Sequence, residues 1–303
     1  MGDMRLIWKL SFVMSAVMTA GLQMPTAARA EDTCPKGTLG VSRTIEVDTT
    51  GGPWFGEPHG DPKFLAPGEV VLTFDDGPSP QDTRKVLAAL AKECTKATFF
   101  IVGEMVALHP EVVKEVAEQG HTIGTHTWSH PNVARLTLPE IKQEVEATFD
   151  IVQKNSPEPV APFFRYPYLS SSKLSEDYFK SRNIAQFAVD VDSNDWRVRS
   201  SAPVIARVMA GLKARGRGII LMHDIHKWTA DAVPQLLAKL KAGGYKVVQL
   251  KAKAPVQVIA DVLPPAPKPV TKRSSRKIKR KAYTKYSSHA RRASLRRKSA
   301  AVD

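Results

Sequence analysis

Cysteine is scarce in this chain: Cys34 and Cys94 are the only two among 303 residues. That excludes a disulfide-dense small scaffold and a cysteine-built metal centre, both of which need more. In an exported chain an isolated pair makes one bridge, which here would pin the mature N-terminus to the folded domain. A membrane-spanning run is missing as well. Residues 10–22 are apolar, but a bilayer span takes ~20 residues, and Gln23, Pro25 and Thr26 follow at once. With Arg5 and Lys9 ahead of the run and Ala28-Arg29-Ala30 behind it, residues 1–30 carry the three regions of a secretory signal, with cleavage expected after Ala30. The mature protein is therefore expected to be secreted or periplasmic. No glycine-rich phosphate loop follows the first strand-like run, which counts against a nucleotide-binding doubly wound sheet.

The folded part also lacks net charge, although the whole chain carries +14. Residues 264–303 hold fourteen Lys or Arg and one Asp, and residues 1–30 hold three basic residues and one acidic. That leaves 27 basic against 28 acidic residues for 31–263, a nearly neutral domain. The segment from Pro264 onward has too little apolar surface to offset its ordering entropy and reads as a disordered basic tail. It serves either as a solubilising arm or as a tether to an anionic envelope polymer or a membrane surface. Export makes nucleic acid an unexpected partner.

Between the two ends, seven short apolar or β-rich runs stand out: 70–74, 97–102, 122–127, 163–167, 185–191, 219–223 and 245–250. Helix-like segments separate them. Pro110 opens one that ends at Gly120. Thr137 and Glu140 read as a capping box ahead of Ile141, Val145, Phe149 and Val152 at helical spacing. Ile205, Val208, Met209 and Leu212 repeat that period, as do Val233, Leu236, Leu237 and Leu240 before Gly243-Gly244. Strict alternation of strand and helix means parallel strands joined by crossovers. A (β/α) barrel with fewer than eight units fits, and it puts chemistry at the strand C-terminal ends.

The polar residues do crowd there. Asp75 and Asp76 follow the first run; the third leads into His126 and His130; the fourth carries Arg165; the fifth runs into Asp195 and Trp196; the sixth ends at His223. Two histidines four apart, a buried arginine or a Trp after an acid are each ordinary structural features, and His121 and His226 receive no role. The coincidence at one barrel mouth is what points to a site. His126, His130 and one carboxylate form a set that suits Zn²⁺ and leaves positions open; the same set suits non-haem iron, but nothing in the sequence points to oxygen chemistry. The second Asp is then free to act as a base. A neighbouring cation such as Arg165 would keep it ionised, since an opposite charge within reach lowers an Asp pKa by ~1–3 units.

In order, TFDDGPS, HTWSH, RYPY, DSNDW and LMH resemble the five motifs of the polysaccharide deacetylase (NodB-homology) family, carbohydrate esterase family four, across residues 69–250. The resemblance implies a distorted (β/α)7 barrel occupying the catalytic domain 31–263. It implies Asp75 as catalytic base, Asp76, His126 and His130 as ligands of a divalent metal, Zn²⁺ first with Co²⁺ as the alternative, and Arg165 as the arginine that holds the base. Tyr168 corresponds to the residue whose backbone N–H binds the oxyanion, Asp195 to the acid that orients and charges the catalytic histidine, and Trp196 to the pocket wall. Leu221 corresponds to the leucine against the acetyl methyl, and His223 to the general acid. Two positions depart from the common Arg-Pro-Pro-Tyr-Gly pattern: Tyr166 replaces the first Pro and Leu169 the Gly.

By resemblance, then, the protein is an exported metal-dependent deacetylase acting on N-acetylglucosamine residues of an acetylated glycan, of peptidoglycan or chitin type. Metal lowers the pKa of water from 15.7 toward about 7, so an Asp base suffices to complete its activation. The alternatives are an O-acetyl polysaccharide esterase, for example on xylan, and a catalytically inactive glycan-binding envelope protein. The inactive reading expects a lost base, ligand or acid, and all are present.

Overall fold

The computed structural model describes residues 34–61 and 63–266. The expected signal segment, 1–30, and the basic tail from residue 267 onward lie outside the described residues. No helix among the described residues is long and apolar enough to cross a membrane.

In chain order the elements are β1 (Arg43–Val47), β2 (Trp54–Phe55), β3 (Glu69–Asp75), α1 (Asp82–Lys92), β4 (Thr98–Ile101), α2 (Gly103–Leu108), α3 (Pro110–Glu118) and β5 (Thr122–Thr125). They continue with α4 (Leu138–Asn155), β6 (Phe163–Phe164), α5 (Lys173–Ser181), β7 (Ala185–Phe187), β8 (Val191–Asp192), α6 (Ser201–Arg215), β9 (Gly218–His223), α7 (Lys227–Ala242) and β10 (Lys246–Ala252). Helix boundaries follow the local chemistry. α3 starts on Pro110, and Gly120 beyond its end has φ 75°. Ahead of α4 the Glu140 carboxylate accepts the Thr137 N–H at 2.8 Å, closing the expected capping box.

Every strand pairing among the described residues is parallel, and helices alternate with the strands, the α/β arrangement expected of a (β/α) barrel. β3 is central: β9 lies along one edge, and β10 and then β4 along the other. β5, β6 and β7 follow β4 in turn, and β8 pairs with β9. The ladder is not continuous between β7 and β8 among the described residues. The run expected as one strand over 185–191 is instead two, because the chain changes partners midway. Ala188 N–H donates to Phe55 of β2, whereas Asp190 N–H donates to Ile219 of β9. Strands β1 and β2 carry no run in the sequence pattern. β1 buries only Val47 among its five residues, and β2 is two residues long.

All seven residues of β3 are buried, as both faces of a parallel strand are covered. Val70, Leu72 and Phe74 pack with Val86, Leu87 and Leu90 of α1, while Val71 belongs to the inner cluster with Phe100, Phe163, Phe187 and Ile219. The strand period of two then places Val71, Thr73 and Asp75 on the inner face, with Asp75 at the mouth. Cys34 and Cys94 are joined as a disulfide with Cα atoms 5.9 Å apart, which ties the start of the described chain to the end of α1.

Candidate active site

Asp75 and His223 are register partners across β3 and β9, so two acid–base side chains stand side by side on the inner face of adjacent strands. The same register puts Leu221 beside Thr73 one layer deeper. Below Asp75 lies Arg165, fully buried. Its Nη1 donates to Asp75 Oδ1 at 2.9 Å and to Thr73 Oγ1 at 2.6 Å, while Nε and Nη2 donate to the carbonyls of Phe187 and Ala188 at 3.3 Å. The Phe100 ring, 4.3 Å from the guanidinium carbon, covers one face. The planar fork is thus fixed from several sides, and Asp75 is held by a cation that cannot turn away.

Strand alternation alone would send Asp76 to the opposite face from Asp75. Asp76 instead has φ 73°, a left-handed conformation uncommon outside glycine but tolerated by Asp, and this turns its carboxylate into the mouth. Gly77 follows, where a Cβ would sit 2.6 Å from both carboxyl oxygens of Asp224. The HTWSH loop is shaped the same way, with φ 66° at Thr127 and 54° at His130, and Glu144 of α4 clamps it through Ser129 N–H at 2.8 Å and Ser129 Oγ at 2.7 Å.

Asp76 Oδ1 lies 3.5 Å from His126 Nε2 and 3.3 Å from His130 Nε2, and the three ligand atoms fall within 4.8 Å of one another. His126 Nδ1 is 2.6 Å from the Arg165 carbonyl, a contact that requires the proton on Nδ1 and leaves the Nε2 lone pair facing the carboxylate. Burial, outweighing the charges of Asp75 and Asp76, lowers this imidazole below its ordinary pKa and so favours the neutral ring. Asp76 Oδ1 is buried without a hydrogen-bond partner among the described residues. A lone pair and an unpartnered carboxylate oxygen aimed at one point repel unless a cation lies between them. The donor set, two imidazoles and one carboxylate, fits a divalent metal such as Zn²⁺.

On the other side of the mouth, His223 Nδ1 is 2.7 Å from Asp195 Oδ1, and Asp195 Oδ2 accepts the His223 N–H at 2.8 Å and the Thr229 hydroxyl at 2.7 Å. Burial disfavours the imidazolium, but the Asp195 hydrogen bond and charge, with Asp75 and Asp76 beyond, outweigh it and lift His223 to about 9. Burial would likewise raise Asp195; the His223 and Thr229 contacts hold it below the ordinary carboxylate range. Trp228 Nε1 donates to the Asp195 carbonyl at 2.7 Å and so fixes the acid's backbone.

Tyr168 and Trp196 are exposed at the rim, 68% and 49%, and Leu221 is buried beneath. Tyr168 has φ 59° and its ring packs edge-on to His130 with centroids 4.8 Å apart. Leu169, where the common pattern has Gly, takes φ 52°. The left-handed turn that glycine makes without cost is therefore kept by a residue that pays for it.

Of the residues expected from the sequence, contacts join Asp75 to Arg165, Asp76 to His126 and His130, His130 to Tyr168, and His223 to Asp195, while Leu221 lies a layer below and Trp196 follows Asp195 at the surface. Four others escaped the sequence reading. Thr73 links Arg165 to β9 by donating to the Ile220 carbonyl at 2.6 Å, and Thr229 and Trp228 secure Asp195. Asp224 is fully buried under the Asp76-Gly77 turn, accepts the Thr83 hydroxyl, and is pushed up to about 7, chiefly by burial. The one sequence signal for it was Gly77, whose missing Cβ makes its room. His121 and His226, left without a role, differ: His121 is buried and accepts the Ala97 N–H at 3.2 Å, away from the mouth, while His226 lies against Trp228 at the rim.

Comparison with known proteins identifies the family. The family model described as polysaccharide deacetylase matches residues 65–187, a span that ends before Asp195 and His223. The chain is 36% identical over 182 residues to peptidoglycan-N-acetylmuramic acid deacetylase PdaC of Bacillus subtilis (strain 168), covering 59% of this chain and 37% of that protein. It is 32% identical over 158 residues to the chitooligosaccharide deacetylase of Bradyrhizobium sp. (strain ANU 289), covering 51% of this chain and 70% of that one. Among solved structures, the Bdellovibrio bacteriovorus peptidoglycan deacetylase Bd3279 superposes with TM-score 0.64 at 38% identity, over 70% of this chain and 59% of that one. The chain belongs to the polysaccharide deacetylase (NodB-homology) family, carbohydrate esterase family four. It spans 37% to 39% of the length of the first curated relatives it matches.

Proposed function

We propose that the protein is an exported, metal-dependent hydrolase that removes N-acetyl groups from amino sugars of a cell-wall glycan. The observation that carries this is the pairing of Asp75 with His223 across β3 and β9, beside the Asp76, His126 and His130 cluster. Asp76, His126 and His130 would hold a divalent cation, Zn²⁺ by donor type, which when bound would supply Lewis acidity toward the acetyl carbonyl and lower the pKa of water there. Asp75, kept in place by Arg165, takes the proton as water attacks the carbonyl carbon. The Tyr168 N–H, in its left-handed turn, donates to the developing oxyanion. His223, charged through Asp195, gives its proton to the sugar nitrogen so that the C–N bond breaks to a neutral amine. Leu221 lines the pocket for the methyl, and Trp196 walls the sugar.

Export is supported by the charged, apolar and small-residue regions of 1–30, and the fourteen basic residues of 264–303 support a role in holding the enzyme at an anionic envelope surface. The test is acetate release from N-acetylated cell-wall oligosaccharides after chelation and after add-back of Zn²⁺ or Co²⁺. Release that vanishes on chelation and returns on add-back supports the reading. Release confined to O-acetylated xylan, or none from any acetylated glycan, overturns it.

A further inference from the structure

The rim beside His223 carries three arginines that acetyl hydrolysis does not use. The guanidinium carbon of Arg197 lies 4.3 Å from the Trp196 ring centroid, and that of Arg199 lies 4.6 Å from the Trp228 ring centroid. Trp228 also stacks on His226, 4.6 Å away with an interplanar angle of 18°. Because Trp228 donates to the Asp195 carbonyl and His226 lies 5.9 Å from His223, this rim is fastened directly to the acid pair. Arg199 is braced further by the Val198 carbonyl at 2.7 Å, and Arg207 by the Asn194 carbonyl at 2.9 Å.

No carboxylate among the described residues forms an ion pair with any of the three. The acids nearby are engaged elsewhere: Asp195 with His223 and Thr229, Asp192 with the Asn194 N–H, and Asp231 with Lys227 and Lys85. Arg197 makes no side-chain hydrogen bond among the described residues, and Arg199 uses only Nη1, on the Trp196 and Val198 carbonyls, so each keeps N–H groups that match a carboxylate. Several such cations without counter-charge raise the local positive potential, which draws an anion to this edge of the mouth. A neutral N-acetylglucosamine polymer gains nothing from it.

We infer that Arg197 and Arg199 bind a carboxylate carried on or next to the sugar being deacetylated, so that the site selects acidic cell-wall glycan over neutral chitin-type oligomers. This rests on reading the mouth as a glycan deacetylase site. The carboxylate can come from a lactyl ether on the sugar, as in muramic acid, or from a peptide attached there; the recognising chemistry is the same.

Calorimetric binding to the full chain tests it without requiring turnover. The probes are a neutral N-acetylglucosamine tetramer, a peptide-free tetrasaccharide containing N-acetylmuramic acid, the methyl ester of that tetrasaccharide, and the same glycan with its peptide attached. The acid should bind about tenfold more tightly than its ester, as a charge-assisted hydrogen-bonded pair at a rim predicts, and added salt should shrink the difference. The Arg197→Ala, Arg199→Ala double variant should lose the preference and the Arg→Lys pair should keep part of it, with the neutral tetramer's affinity following neither change. A peptide-bearing glycan that binds like the free acid assigns the carboxylate to the peptide; one that binds like the ester assigns it to the lactyl group. Equal binding of acid and ester by the wild type, or a preference that survives in the double alanine variant, overturns the inference. Loss of acetate release with the acid preference intact would count against the deacetylase reading alone.

Discussion

Replacing Asp195 by Asn isolates what the carboxylate does for His223. The His223 pKa stands at about 9 against an ordinary 6.5, and Asp195 supplies the leading upward contributions against the burial that lowers it. An amide keeps the size and one hydrogen-bonding atom but removes the charge, so burial is left less opposed and the pKa should fall by roughly 2 units or more. At pH 7.5 the protonated fraction of His223 should drop from nearly all to about a quarter or less. If His223 acts as the proposed general acid it is required in its protonated form, so kcat/KM at that pH should fall at least ~4-fold, and the alkaline limb of the rate profile should move down by about 2 units. A cation bound near Asp76 offsets part of the field from Asp75 and Asp76 in both proteins, so the difference between them persists. NMR titration of the labelled His223 ring measures the shift directly, and the pH profile of acetate release measures its consequence. The stability effect has a definite sign. A folded pKa raised above the unfolded one contributes stability below about pH 6.5 that is lost as pH rises through 9, on the order of 3 kcal/mol for this nearly buried ring. The stability gap between wild type and Asp195→Asn should therefore narrow from pH 6 to pH 10. An unchanged alkaline limb, or His223 still titrating near 9 in the variant, would refute this reasoning.

Three further outcomes are expected. Asp75→Asn should retain metal yet lose turnover, whereas His126→Ala should lose metal, as read by metal analysis beside acetate release; equal metal loss in both would end the division of labour between Asp75 and Asp76. Leu169→Gly relieves a left-handed backbone at φ 52° and should raise stability by up to about 1 kcal/mol in denaturant titration; a loss of stability would refute the strain argument. Removing the bridge in a Cys34→Ser, Cys94→Ser variant opens a loop of sequence separation 60 and should cost about 4 kcal/mol on the loop-entropy model; a melting temperature indifferent to the change would show that the terminal segment is held by other contacts.

What the sequence made legible, and what it did not, divides along the range over which the physics acts. The buried strand β3, the capped helix α4 and the Pro-to-Gly helix α3 are local patterns, and each appears where its periodicity and end signals put it. The break between β7 and β8 is set by partners far away in sequence: residue 188 bonds to β2 and residue 190 to β9, and nothing local in the stretch records that change. β1 escaped because an edge strand needs no apolar run; its register with β10 is carried by backbone bonds.

The site follows the same division. The residue types at the strand ends announced a cluster, and the family resemblance supplied their roles, but neither explained how two successive aspartates share one mouth when strand geometry separates them. The answer lies in the left-handed backbone of Asp76 and in the glycine after it. Gly77 in turn has its reason in Asp224, 147 positions later, whose carboxyl occupies the space a side chain would need. Asp224 reads in the sequence as the residue after His223, with no visible partner. Its burial beneath the turn, its bond from Thr83, and the further bond from Ser79 N–H to that same hydroxyl at 2.7 Å make it part of what shapes the Asp75-Asp76 turn. The acidic pair at the tip of β3 is thus positioned from two directions. Arg165 holds Asp75 from below, and Asp224 with Thr83 supports the turn that aims Asp76 at the histidines.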